Sequence, residues 1–177
     1  MLRLSIFLFA LTQSLIVNAK PDHVIVVRHA ERSSELTDDP AITSGGVKRA
    51  DLLAEMLGAV NVQTIITTNF RRTQETAAPL ARRLGLTPVV IDMQRDAVQA
   101  HIDEVIDRIG EVKGVVLVVG HTNTVSSIVE AFSDSRPTRL CETSYSNIFI
   151  ATPEAPSIRA IQLKYGKPDP APAGDCQ

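Results

Sequence analysis

The chain has 177 residues, 44% of them hydrophobic, with 18 basic and 20 acidic side chains and a formal charge of −2. That length fits one domain, large enough to build a core without disulfide or metal staples. The near-neutral charge excludes a strongly basic nucleic-acid surface, the 21% of charged residues carry no long like-charge run that would signal disorder, and two distant Cys exclude a disulfide scaffold or a Cys-rich zinc module. Trp is absent and aromatics make up 4%, which argues against a stacking platform for single-stranded nucleic acid.

Residues 1–19, MLRLSIFLFALTQSLIVNA, place Arg3 before an apolar run from Leu4 to Leu11 and end on Val17-Asn18-Ala19. This is the order of a secretory signal peptide. Thr12, Gln13 and Ser14 interrupt the run, so it is too short for a membrane span of about 20 apolar residues. Cleavage after Ala19 leaves a secreted or periplasmic domain with no stable membrane insertion, placed in an oxidising compartment. There Cys141 and Cys176 either pair, tying the C-terminal tail to the body, or stand as two thiols. The expected organisation is a signal segment over 1–19, a domain over 20–166 and a Pro-rich, irregular tail over 167–177.

Along the domain, Val24-Ile25-Val26-Val27 reads as a strand buried on both faces. Thr43 offers an N-cap to a helix whose apolar stripe is Val47, Ala50, Leu53, Ala54 and Leu57, ended by Gly58. Thr64–Thr67 is the next strand. From Thr73 a stripe of Thr76, Ala77, Leu80, Ala81 and Leu84 marks a second helix, in which Pro79 predicts a kink or a late start. Pro88–Ile91 is a third strand. Val98, Ile102, Val105, Ile106 and Ile109 follow at helical spacing, up to Gly110. Val115–Val119 is the strongest strand, and Val125, Ile128, Val129 and Phe132 form a further helical stripe. Asn147–Ala151 and Ile158–Leu163 are two closing strands joined through TPEAPS, a hairpin or turn. Strands alternating with helices predict an α/β fold, a mostly parallel sheet covered on both faces.

In such sheets ligands bind beyond the carboxyl ends of the strands. VIVV runs straight into Arg28-His29, VVLVV runs into Gly120-His121, and Arg72 lies in TTNFRRTQETA, between a strand and a helix. If the two strongest strands are parallel neighbours, both His share one sheet edge. Guanidinium forks and free helix amides suit phosphate oxygens, and imidazole serves as nucleophile or acid/base near neutral pH. The combination points to phosphoryl transfer through a covalent intermediate.

These stretches resemble the histidine phosphatase superfamily, the phosphoglycerate-mutase-like group. VVRHAER matches its Arg-His-Gly opening, with Ala30 in place of Gly. ITSGGVKRA matches its Leu-Thr-x-x-Gly helix start. TTNFRRTQETA matches the element carrying the family Arg, here Arg72, and VLVVGHTNTV matches the strand before the second His, here His121. The resemblance implies a three-layer α/β/α sandwich with His29 as the nucleophile that becomes phosphorylated. Arg28, Arg72 and His121 would hold the phosphoryl oxygens, with no metal or organic cofactor. Arg32 resembles a second phosphate-binding Arg of the phytase-like branch, but that branch has Asp after its second His, where this chain has Thr122; otherwise Arg32 is a solvated loop charge.

The mutase-like branch places an acidic residue after the third strand. The corresponding stretch here, IDMQRDAVQAHIDE, offers Asp92 and Asp96 as candidates, although the plainer reading is a surface cap at Asp92 and a solvated charge at Asp96. Glu142, in CETSYSN, is a further candidate general acid. His101 reads as a surface residue, Asn123 and Thr124 as caps, and Arg49 as a possible neighbour of the site. The expected activity is hydrolysis of a phosphomonoester on a small molecule, glycan or phosphoprotein, with no nucleic-acid partner. A non-catalytic phosphate-binding protein and a phosphomutase are the alternatives.

Overall fold

The computed structural model describes residues 20–135, 137, 140–153, 159–171 and 176. The expected signal segment and most of the TPEAPS turn lie outside the described residues. The elements, in chain order, are β1 (Pro21–Arg28), α1 (Ser44–Leu57), β2 (Val62–Thr68), α2 (Arg71–Leu84), β3 (Val89–Ile91), α3 (Val98–Gly110), β4 (Gly114–Gly120), α4 (Thr122–Ala131), β5 (Asn147–Ala151) and β6 (Ile161–Lys164). Six strands form one sheet in the order β3-β2-β4-β1-β5-β6. The pairs β1–β4, β2–β4 and β2–β3 are parallel, while β1–β5 and β5–β6 are antiparallel.

Side chains alternate across a strand, so the β-branched runs feed two cores. On one face Val24, Val26, Val116, Val118 and Phe149 pack with Ile102, Val105 and Ile109 of α3 and Val125, Ile128 and Val129 of α4. On the other, Ile25, Val27, Leu117, Val119 and Ile148 pack with Leu53 and Leu57 of α1 and Ala77, Leu80 and Ala81 of α2. The result is the three-layer α/β/α sandwich expected from the sequence.

Several details differ from the periodicity reading. Val47 is exposed, and the inner face of α1 carries Gly46 and Arg49 instead. Arg49 is therefore not a neighbour of the predicted site. It is buried, pairs with Glu31 at 2.8 Å, and donates to the carbonyls of Tyr165 (2.7 Å) and Lys167 (2.8 Å). Helix α2 starts at Arg71 and runs through Pro79 without ending. Burial of Thr76, Ala77, Leu80 and Ala81 on the sheet outweighs the proline's cost of about 3 kcal/mol. Gly85, at φ 66°, adopts the left-handed conformation and closes that helix. His101 is buried and bonded to the Asp92 carbonyl at 3.1 Å, so it joins α3 to the β3–α3 loop and is not a surface residue. The tail is docked: Lys167 receives Arg49, Asp169 receives the backbone of Tyr145 and Ser146, and Cys176 is disulfide-bonded to Cys141.

Thr43 caps α1, its hydroxyl accepting the Gly46 amide at 3.0 Å. Gly46 touches the loop that follows the first His, and a Cβ there would lie 2.7 Å from the Glu31 carbonyl oxygen and 2.9 Å from Ile42 Cβ. Gly46→Ala is expected to cost about 1–3 kcal/mol by overpacking, read as a lowered urea midpoint at unchanged slope.

Candidate active site

The parallel β1–β4 register pairs Val27 with Val119 and Arg28 with Gly120. The residues that follow each strand, His29 and His121, thus emerge side by side at the carboxyl edge, their ring centroids 5.3 Å apart. The His29 amide donates to the Gly120 carbonyl at 3.0 Å, continuing the ladder beyond the last paired strand residues. Helices α2 and α4 begin at this edge, at Arg71 and Thr122. Their first-turn amides lack intrahelical acceptors and favour an anion.

His29, Arg28, Arg32, Arg72, His121, Thr122, Asn123 and Glu142 line one cavity of about 270 Å³, with Thr37, Asp38, Pro40, Met93 and Arg95 at its walls. A larger concavity of about 670 Å³ beside α4 shares none of these residues. Of the predicted acids, only Glu142 reaches the site. Asp92 and Asp96 are exposed and face elsewhere, because the β3–α3 loop turns Met93 and Arg95 toward the cavity. Asn123 lines the cavity; the α4 N-cap is His121, whose amide donates to the Thr124 hydroxyl at 3.0 Å.

The tautomers follow from the partners. His29 Nδ1 lies 2.7 Å from the Ala30 carbonyl, which only accepts, so Nδ1 carries the proton and Nε2 is left with its lone pair. Ala30 is fixed in turn by its amide, which donates to the Thr76 hydroxyl at 2.9 Å, and Thr76 donates to the Arg72 carbonyl at 2.6 Å. His121 is held the other way round. Arg72 Nη2, a donor only, stands 3.3 Å from Nδ1, so the proton is on Nε2 and donates to the Thr68 hydroxyl at 3.0 Å. Thr68 passes its own proton to Thr73 Oγ1 (2.9 Å), which donates to the Phe70 carbonyl (2.8 Å). Every hydroxyl in that buried chain has a defined role.

The cations are desolvated and supported by aromatics. Arg28 is 1% exposed, and its guanidinium lies 4.3 Å from the Tyr145 ring. Arg72 lies 4.3 Å over Phe70, with Asp39 at 3.8 Å. Arg28 Nη1 donates to the carbonyls of Cys141 (3.0 Å) and Glu142 (2.6 Å), and Nη2 to Glu142 Oε2 (2.8 Å). Its Nε is buried with no partner, a donor left over for a ligand oxygen. Burial foremost, then the Arg28 charge, lowers His29 to about 3; burial, then His29 and Arg72, lowers His121 to about 2. Both rings are neutral at pH 7, and the positive charge of the site rests on guanidinium alone. The Glu142 and Asp39 carboxylates face these guanidinium groups, and a bare imidazole nitrogen of His29 stands beside them.

Sequence reasoning did not single out Tyr145, Phe70, Thr68 or Asp39. Asp39 accepts the Arg71 amide at 2.9 Å and so caps α2 from a distant loop, where the local N-cap Phe70 has no side-chain acceptor. Among the described residues, no group of three or more His, Cys, Asp or Glu converges in metal-binding geometry. No described helix is long and apolar enough to cross a membrane.

Because the folded state holds the imidazoles neutral, the unfolded chain takes up more protons between pH 6.5 and about 3, and stability falls as pH drops through that window. Glu31 and Asp169, lowered from 4.5 and 3.8, add their own loss only at lower pH. Urea unfolding between pH 4.8 and 6.5 should therefore show a slope shallower by up to about 1.4 kcal/mol per pH unit in His29→Asn than in the wild type.

Comparison with known proteins bears on this arrangement. Residues 24–97, which hold the first His and both clamp Arg, match the family described as the histidine phosphatase superfamily (branch 1). No curated protein sequence matches significantly. Among solved structures, SixA from Agrobacterium tumefaciens superposes with a TM-score of 0.59 at 17% identity, over 84% of this chain and 99% of that one. The protein histidine phosphatase SixA in complex with tungstate gives 0.57 at 18% identity, over 80% and 96%. A mycobacterial glucosyl-3-phosphoglycerate phosphatase gives 0.53 at 17% identity, over 81% and 98%. At these identities the likeness is one of fold. The family match takes in the first His and its Arg clamp, and the solved structures share the fold that carries them.

Proposed function

We propose that the protein is an exported, metal-independent phosphatase that hydrolyses a phosphomonoester through a phosphohistidine on His29. The observation that carries this reading is the neutral His29, with Nδ1 tied to Ala30 and Nε2 bare, in a cavity lined by Arg28, Arg72 and His121. The Nε2 lone pair attacks phosphorus, the bond to the ester oxygen breaks, and the phosphoryl group resides on His29. Water then attacks phosphorus, the P–N bond returns its electrons to Nε2, and phosphate leaves. Arg28 Nε and Arg72 stabilise the equatorial oxygens in both steps.

The departing oxygen needs a proton. Glu142 is the carboxylate nearest the clamp, but it is already committed to Arg28 Nη2 at 2.8 Å. Leaving groups that need little protonation should therefore react fastest. Export is supported by the N-terminal segment and by the Cys141–Cys176 disulfide. The names of the structural relatives point to phosphorylated proteins and phosphorylated glycosides as substrates. An open cavity of about 270 Å³ accommodates the phosphoryl end of either, or of a phosphorylated glycan.

The purified protein in EDTA should hydrolyse p-nitrophenyl phosphate. Arg72→Ala should lower kcat/KM by on the order of 10²–10³, and His29→Ala should lower it further. Acid-labile phosphate should be trapped on the wild type and not on His29→Ala. Turnover that survives His29→Ala would overturn the covalent route, and phosphate binding without turnover would make this a binding protein.

A further inference from the structure

Arg28 differs from the other clamp residues in what holds it. His29, Arg72 and His121 are fixed by the sheet edge and the helix starts. The polar partners of Arg28 lie instead at Cys141 and Glu142, and Tyr145 stacks on it from the same segment, 140–146, which is neither helix nor strand. Three bonds spend Nη1 and one hydrogen of Nη2 on this segment, and so determine where the unpartnered Nε points.

The segment is itself anchored by the C-terminal tail. Asp169 Oδ1 accepts the amides of Tyr145 and Ser146, both at 2.8 Å, and its Oδ2 accepts the Ser146 hydroxyl at 2.6 Å. The carboxylate thus replaces the sheet as acceptor for two consecutive amides immediately before β5. Cys141, whose carbonyl receives Arg28, is covalently joined to Cys176. The tail's own path is pinned by the Lys167 carbonyl on buried Arg49.

We propose that Asp169 and the Cys141–Cys176 disulfide are positioning residues for Arg28: the tail straps segment 141–146 in place, and the strap sets the phosphate-binding geometry of a residue it does not itself touch. An acceptor set displaced by about 1 Å costs on the order of 10²-fold in a pre-organised site, so partial loosening should cost about tenfold. The clamp would then be complete only in the disulfide-bonded protein, making anion affinity dependent on the redox state of the compartment.

The test is a double-mutant cycle. Tungstate affinity is measured by calorimetry, with and without dithiothreitol, for the wild type, Arg28→Ala, Cys176→Ser and the double variant. Reduction or Cys176→Ser should weaken binding about tenfold when Arg28 is present and less than about twofold when it is absent. Asp169→Ala should behave like Cys176→Ser, and Asp169→Asn, which keeps the Oδ1 acceptor, should recover most of the affinity. Circular dichroism establishes that each variant is folded. Equal losses with and without Arg28 would show that the tail only stabilises the fold, and no loss on reduction would exclude the strap; either overturns the proposal. The kinetic version, kcat/KM for p-nitrophenyl phosphate, rests on the phosphatase reading. The tungstate arm does not, so failure of one is distinguishable from failure of the other.

Discussion

The site depends first on the parallel pairing of β1 with β4. A parallel pair sends both chains out at the same edge, and the register Arg28–Gly120 brings them out at the same level. His29 and His121 are then neighbours with no adjustment left to side-chain reach. The pairing is specified by burial: both strands have apolar side chains on both faces, and a one-residue slip would send each side chain to the opposite core. What fixes the hydrophobic sandwich therefore also fixes the distance between the two imidazoles.

The second constraint is desolvation. Putting two imidazoles and two guanidinium groups at one edge is tolerable because the rings give up their charge. The neutral rings then use their protons for orientation: His29 spends one on Ala30, and His121 spends one on the Thr68–Thr73 hydroxyl chain. Guanidinium stays charged in such surroundings, although burial lowers both Arg28 and Arg72. Arg at both clamp positions has a physical reason here, since a buried ammonium would discharge and lose the anion.

The parts of this arrangement legible in the sequence were those with a short-range signature. Val24–Val27 and Val115–Val119 announce buried strands by β-branched runs, and Arg28-His29 and Gly120-His121 follow them directly. The fold, and the meeting of the two His at one sheet edge, could be read on that basis. Helix faces were read less well where a glycine or a buried ion pair replaced an apolar residue, as at Gly46 and Arg49 on α1. The supporting shell left no local mark. Asp39 caps a helix 32 residues away, Tyr145 stacks on a residue in the first strand, and Asp169 holds amides 23 and 24 residues before it. A general acid sought after the third strand was misplaced for the same reason. The turn that aims Met93 and Arg95 inward, and Asp92 and Asp96 outward, is set by His101 and Asn69 bonding back to that loop.

Glu142 ties these constraints together. Arg28 without a ligand would be a buried cation facing an empty cavity, a costly state. Two carbonyls and the Glu142 carboxylate offset that cost, yet the Glu142 side chain is 60% exposed while Arg28 is 1% exposed. The pair is asymmetric: the cation is fixed and the anion is free to turn into water. On the phosphatase reading, an incoming phosphoryl group would bring more negative charge and several acceptor oxygens, so it would compete with Glu142 on favourable terms and have Nε, which the carboxylate leaves unbonded, as a further donor. Glu142 is thereby the resident counter-anion of Arg28 in the absence of a ligand. The same commitment explains why the carboxylate at the mouth of the site would, on the phosphatase reading, be poorly placed in this state to protonate a leaving group.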